Sequence, residues 1–195
     1  MAHIVAIGAG QAGSSLVAKL RNSGFDGKVT LIGAEPHPPY QRPPLSKKYL
    51  LGDMPLDRLY LRPEKFYREN DITLRLDQPI TKIDPNTRCL FLDNEVISYD
   101  ELALTTGSVP RLLPASIGGA LDGVHVVRSL SDVDAMAPRF DAKARILIVG
   151  GGYIGLEAAA VAATKGLEVT LVEMADRILQ RVAAPQTSDF FRNLH

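Results

Sequence analysis

One cysteine, an even balance of charge and the lack of any long apolar run remove several classes of protein before a motif is read. Cys89 stands alone, so no internal disulfide can form. With no CxxC pair or Cys/His cluster, zinc ligation and thiol–disulfide chemistry lack the residues they need. The expected compartment is the reducing cytoplasm. Lys+Arg and Asp+Glu number 22 each, which leaves no basic field to hold nucleic acid or an anionic membrane. No apolar run approaches the ~20 residues of a membrane span. A strand beginning at His3 or Ile4, directly after Met1, is expected to leave no room for a signal peptide. What remains, 46% hydrophobic and 23% charged over 195 residues, is an ordinary globular composition with length for one domain or two small ones.

What is present is glycine in a fixed pattern, written twice. Ile146 to Val149 is a short apolar run stopped by three glycines, which reads as a buried parallel strand. Gly150, Gly152 and Gly155 then supply G-x-G-x-x-G. The first glycine suits a tight turn, the second lets the main chain approach a pyrophosphate, and the third lets the following helix pack against the strand. The alanine-rich stretch Ile154 to Lys165 is that helix, with its N–H groups and positive dipole end aimed at the phosphates. Glu173 closes the second strand eighteen residues after Gly155, where a carboxylate accepts the hydroxyls of an adenosine ribose. The N-terminus repeats the pattern: Ile4 to Ile7, then Gly8, Gly10, Ala12 and Gly13, a helix Ser14 to Arg21, and a strand at Val29 to Ile32. Gly33 stands where Glu173 stands in the other copy, and the carboxylate arrives at Glu35. Two dinucleotide sites are expected, in an α/β fold of two Rossmann-like domains in series.

Between the copies, Pro36 to Lys48 carries two adjacent proline pairs that forbid regular structure until Leu45 and stiffen the presentation of Arg42 and Lys47. A short helix Ser46 to Leu51, a helix from Pro63 to Arg68 and a strand Ile72 to Leu76 follow. Ile80 to Ile83, Arg88 to Leu92 and Val96 to Ser98, separated by Pro-Asn and Asp-Asn turns, read as an antiparallel meander. Glu101 to Leu104 returns to an apolar strand, and Thr105-Thr106-Gly107 turns at its carboxyl end, where open α/β sheets bind ligands. Pro110 to Gly119 is the expected domain boundary. Beyond it, Val124 to Val127 reads as a strand with Arg128 just past it, and Ser131 with Asp132 and Asp134 as a capped helix start. Pro185 opens a last helix with Phe190 and Leu194 as its apolar members. A doubly wound domain needs a further strand, so the second domain is expected to be incomplete and the chain to be the N-terminal portion of a longer protein.

The phrases Tyr40-Gln41-Arg42-Pro43-Pro44-Leu45-Ser46-Lys47, Tyr99 to Gly107 and Gly150 to Glu157 together resemble one family across essentially all 195 residues. It is the FAD-dependent NADH:ferredoxin reductases of bacterial monooxygenase and dioxygenase systems. These putidaredoxin reductase-like proteins sit in the pyridine nucleotide-disulfide oxidoreductase superfamily but lack its redox cysteine pair. The resemblance implies a flavoprotein enzyme passing electrons from NADH through FAD to a 2Fe-2S ferredoxin or similar small redox protein. It implies residues 1–110 as an FAD-binding domain and 111–195 as a truncated NADH-binding domain, with these residues alone inactive. For FAD, Gly8, Gly10, Ala12 and Gly13 cradle the pyrophosphate, Glu35 takes the ribose, and Arg42, Lys47, Ile80, Thr106, Gly107 and Arg128 line the cofactor. For NADH it implies Gly150, Gly152, Tyr153, Ile154, Gly155, Glu157 and Glu173, with Arg181 over the adenosine. Lys47, near the reacting flavin nitrogen, and Glu157, near the nicotinamide, are the implied catalytic residues and a candidate pair. Glu173 disfavours NADPH by facing its 2′-phosphate, while Arg177 and Arg181 close by are cations that would welcome one.

Three other readings compete. Disulfide reductases share both glycine motifs but place redox cysteines where this chain has Arg-Pro-Pro-Leu-Ser-Lys. A redox-responsive FAD/NADH-binding protein resembling apoptosis-inducing factor is the alternative from another functional class, with an inactive reductase fragment as the third.

Overall fold

The apolar runs that open each glycine motif form parallel strands. A computed structural model of the protein describes residues 1–141 and 143–194. In chain order it contains β1 (His3–Ile7), α1 (Gln11–Asn22), β2 (Lys28–Ile32), α2 (Lys48–Leu51), α3 (Glu64–Glu69), β3 (Ile72–Arg75), β4 (Lys82–Asp84), β5 (Cys89–Leu92), β6 (Glu95–Ser98) and β7 (Glu101–Leu104). Then follow α4 (Leu130–Met136), β8 (Arg145–Val149), α5 (Tyr153–Thr164), β9 (Glu168–Val172) and α6 (Pro185–Leu194). Contacts divide the chain into two compact units, Met1–Gln41 with Leu56–Val109 and Arg42–Pro55 with Pro110–His195.

In the first unit a parallel sheet runs in the order β3-β2-β1-β7. Its central strands are apolar without alternation because both faces are covered. Val5, Ile7 and Ile32 pack with Leu90, Ile97 and Tyr99 from the meander side. Ala6, Val29 and Leu31 pack with Val17 of α1 and Tyr67 of α3 on the other. Each valine, leucine or isoleucine buried in this way contributes roughly 1.5–3 kcal/mol of transfer free energy. Ser14, in the second turn of α1, meets the Tyr67 hydroxyl at 3.0 Å and accepts from Arg62 Nη1 at 3.2 Å, which ties the start of α1 to α3. The meander β4-β5-β6 is antiparallel as expected. Its first strand starts at Lys82 rather than Ile80, since the cross-strand register pairs Lys82 with Phe91.

In the second unit β8 and β9 pair in parallel, with Val149 opposite Val172. α5 buries Leu156, Ala158, Ala159, Val161 and Ala162. Small residues let a helix lie close to a two-stranded sheet. Residues 42–55 belong to this unit. The proline pairs do not keep the stretch irregular until Leu45: Pro43–Ser46 forms a 3-10 turn, a conformation that fixed proline φ angles accommodate at its first position. Leu45 and Leu50 are buried and anchor the segment, which Gly52 ends at φ 91°. Tyr49 Oη donates to Asp134 Oδ1 at 2.8 Å.

Two expectations need correction here. Residues 124–127 form no strand; among the described residues β8 and β9 pair only with each other, and no partner ladder reaches that run. The cap of α4 is Ser129, not Ser131: Ser129 Oγ accepts from Asp132 N–H and the Asp132 carboxylate accepts from Ser129 N–H, a reciprocal box set by three-residue spacing. The last helix opens at Pro185 as expected; its Phe190 and Leu194 are exposed, while Ser188 is buried and its hydroxyl donates to Ile178 O.

Candidate functional site

Both glycine turns are built alike. Gly8 N–H donates to Ile32 O at 2.7 Å and Gly150 N–H to Val172 O at 2.8 Å, closing each turn onto the neighbouring strand. Gly8 and Gly150 take φ of 108° and 112°, a region that L side chains rarely adopt. A Cβ on Gly13 would meet Gly8 O at 2.2 Å, and one on Gly155 would meet Gly150 O at 2.0 Å. The third glycine is therefore what lets each helix begin against the end of its strand. A Cβ on Gly10 or Gly152 would meet nothing within 4 Å. Those two glycines are the N-caps of α1 and α5, no side chain caps either helix, and neither first turn carries an acid. Each helix thus presents first-turn N–H groups and the positive end of its dipole to open space, the donor set that a pyrophosphate requires.

In the first unit β1 has β2 on one side and β7 on the other, so the strand order reverses at β1. Its carboxyl end is the switch point at which such sheets bind ligands. Thr105, just past β7, backs the turn there: its hydroxyl lies 2.9 Å from both Ile7 O and Gly8 O, and a Cβ on Gly8 would strike Thr105 O at 2.2 Å. Thr106 and Gly107 are exposed beyond it, Gly107 at φ 73°. Ala12 is exposed on the first turn of α1. Glu35 is half-buried and accepts from Tyr40 Oη at 2.5 Å, which orients it more firmly than a solvated loop charge. Ile80 packs, half-buried, against the cluster of Val5, Ile7 and Leu90.

In the second unit Glu173 Oε2 accepts from Gly151 N–H at 2.6 Å and Oε1 from Ala175 N–H at 2.8 Å. These backbone donors, Ala175 first and Gly151 next, with the positive charge of Arg181 adding to them, hold its carboxyl below the ordinary carboxylate range. Tyr153 and Ile154 are exposed at the start of α5. Arg177, a cation with the charge to receive a phosphate, donates instead to Ala183 O, Gln180 O and Ser188 Oγ and is spent on holding the loop before α6. Arg181 is exposed.

Also in the second unit, Lys47 Nζ lies 2.9 Å from Glu157 Oε2, bringing the two expected catalytic side chains together. Ser46 Oγ donates to the same oxygen at 2.6 Å. Arg42 Nη1 donates to Arg128 O at 2.6 Å, so the Arg42 guanidinium meets Arg128 at its backbone carbonyl. Sequence motifs did not single out Ser46, Thr105, Tyr40 or Gly151. All four lie inside the phrases that carry the resemblance, but hydroxyls on a proline-led turn or beyond a strand carry no periodic signal of their own.

A family model described as pyridine nucleotide-disulphide oxidoreductase matches residues 2–195. The chain is 42% identical over 193 residues to a ferredoxin–NAD(P)(+) reductase of Sphingomonas sp, covering 98% of this chain and 46% of that protein. It is also 42% identical to the rhodocoxin reductase of Rhodococcus erythropolis, covering 98% of this chain and 45% of the other. The crystal structure of the covalent putidaredoxin reductase–putidaredoxin complex matches with a TM-score of 0.95 at 38% identity, over 100% of this chain and 47% of that one. The chain spans about half the length of the curated relatives it matches. With two glycine turns of one construction and a family match along nearly its whole length, the chain belongs to the pyridine nucleotide-disulphide oxidoreductase family.

Proposed function

We propose that this chain carries the FAD and NADH sites of a flavoprotein oxidoreductase that passes electrons from NADH to a 2Fe-2S ferredoxin, or a similar small redox protein, serving a monooxygenase or dioxygenase. The observation that carries the proposal is the pair of uncapped glycine turns, each with a carboxylate held nearby by its own donors. We assign Gly8, Gly10, Ala12, Gly13, Glu35, Thr106 and Gly107 to FAD. To NADH we assign Gly150, Gly152, Tyr153, Ile154, Gly155, Glu157, Glu173 and Arg181. The domain assignment is residues 1–110 for FAD and 111–195 for NADH, and Arg42–Pro55 packs with the second unit. The relatives support the electron acceptor: one is named for ferredoxin, and the solved complex holds putidaredoxin.

Bound FAD supplies the chemistry of accepting a hydride and passing electrons onward. The residues of this chain bind, orient and select. First-turn N–H groups of α1 and α5 neutralise pyrophosphates. Glu35, kept in place by Tyr40, receives one ribose, and Glu173 receives the other while repelling a 2′-phosphate. Engagement of Arg177 by two backbone carbonyls and the Ser188 hydroxyl removes a cation that would otherwise favour NADPH. The Lys47–Glu157 pair handles charge at the nicotinamide end. Among the described residues no helix is long and apolar enough to cross a membrane, and a cytoplasmic location fits an unpaired cysteine.

The test is stopped-flow reduction of the FAD-loaded, full-length protein by NADH and NADPH, followed by ferredoxin reduction. NADH is expected to bleach the flavin with a specificity constant at least about tenfold above that of NADPH. Comparable constants would remove the assigned role of Glu173. Flavin that NADH leaves oxidised would overturn the function. A Lys47→Ala protein reduced at the wild-type rate would take Lys47 out of the mechanism.

A further inference from the structure

Ser46 and Lys47 are consecutive, yet both side chains reach the same atom, Glu157 Oε2, at 2.6 and 2.9 Å. They reach it on unlike terms. Ser46 is 4% exposed, whereas the Lys47 side chain is 46% exposed and also donates to Pro43 O at 3.2 Å. An ion pair this wet is screened and easily exchanged. A short hydrogen bond from a buried hydroxyl to a carboxylate is charge-assisted and is not diluted by solvent in the same way. Each end of the serine bond is set by its own element. The 3-10 turn Pro43–Ser46 is led by two prolines and pinned by Leu45 at 1% exposure, so Ser46 is ordered before it meets its partner. Glu157 sits in the second turn of α5 between buried Leu156 and Ala158, so its backbone is equally settled.

We propose that Ser46 is a positioning residue for Glu157. It holds the carboxylate on its own, so that the Lys47 ammonium can leave Glu157 to meet a ligand without the carboxylate turning away. This rests on the reading of α5 as the NADH helix and of Glu157 as its nicotinamide-end residue. The chemical class of ligand that feels Ser46 is then a pyridinium-bearing dinucleotide, and a nucleotide lacking that ring should not.

The experiment titrates NAD+ and, separately, ADP-ribose into the FAD-loaded full-length protein by calorimetry, for wild type, Ser46→Ala and Ser46→Thr. ADP-ribose keeps the pyrophosphate and both riboses and lacks only the nicotinamide. Ser46→Ala is expected to weaken NAD+ by about fivefold or more, with ADP-ribose within twofold of wild type. Ser46→Thr keeps a hydroxyl and restores most of the NAD+ affinity. Equal weakening of both ligands would mean that Ser46 merely shapes the fold, and it overturns the proposal. So does unchanged NAD+ binding in Ser46→Ala. If Ser46→Ala does not fold, Ser46→Cys, similar in volume but a weak donor, carries the same comparison. Failure of the wild-type protein to bind either ligand would overturn the underlying assignment of the second turn instead.

Discussion

The two glycine turns of this chain superpose in sequence, and they differ by an exchange of bulk at one pair of positions. In the first, Ala9 occupies the middle of the turn and Gly33 the end of β2; a Cβ on Gly33 would meet the Ala9 Cβ at 2.6 Å. In the second, Gly151 occupies the middle and Glu173 the strand end; a Cβ on Gly151 would meet Ile178 Cγ2 at 2.6 Å and Glu173 Oε2 at 3.3 Å. In the first turn the Ala9 methyl fills the room a side chain at Gly33 would need; in the second, Ile178 and the Glu173 carboxylate crowd the room a side chain at Gly151 would need. In the first, the acid is displaced two residues to Glu35 and is held by a phenol, Tyr40. In the second, the turn's own Gly151 N–H holds the acid. In the proposed assignment, the position of each ribose acid is thus set by sterics in the turn as much as by its distance along the chain.

Surroundings differ as well. β1 is flanked on both sides and its Val5, Ala6 and Ile7 are buried, whereas β8 leaves Leu147 and Val149 exposed on one face. Equivalent substitutions in the two turns should therefore have unequal effects.

The largest effect is expected at the third glycines. Gly13→Ala should abolish FAD retention, because its Cβ meets carbonyl backbone, and Gly155→Ala should keep FAD yet weaken NAD+ by about a hundredfold. Flavin absorbance of the purified protein and NAD+ titration read the two outcomes; joint loss of both ligands in either variant would break the one-turn, one-nucleotide comparison. Next comes the first glycine. Gly8→Ala adds a clash with Thr105 O to an unfavourable φ, while Gly150→Ala has the φ alone, so Gly8→Ala should lower the thermal midpoint by several degrees more. Equal midpoints would show that Thr105 yields freely.

The exchange of bulk itself is tested by Gly151→Ala, which should displace Glu173 and narrow the preference for NADH over NADPH about threefold to tenfold. A preference unchanged from wild type would show that the carboxylate does not depend on that glycine. The smallest effect is in acid. The Glu173 carboxyl is depressed in the folded protein, so its contribution is complete above the unfolded value of about 4.3 and is lost as pH falls through the lower folded value. Chemical denaturation from pH 6 to pH 3 should show a slightly steeper loss of stability for wild type than for Glu173→Gln. Identical slopes would mean that the backbone bonds to Glu173 do not form in solution.

Strand, turn, helix and second strand were legible twice over in the sequence, because glycine spacing and unbroken apolar runs are local properties enforced by backbone sterics and burial. Lys47 and Glu157 were legible as residues through the phrases around them. Phase and partnership were not. The start of β4 at Lys82, the cap at Ser129 and the lack of a strand at 124–127 depend on whether a neighbouring ladder or a reciprocal side chain is present, which no window of sequence contains. Composition and spacing by themselves determined that two dinucleotide turns exist and where their glycines lie. Only the tertiary structure decided that Ser46 and Lys47 share one oxygen of a glutamate more than a hundred residues away, that Arg177 is consumed by its own loop, and that Ala9 with Gly33 mirrors Gly151 with Glu173. The reason is that a hydrogen bond or a steric contact is a relation between two places, and the chain specifies each place locally but their meeting only through the fold.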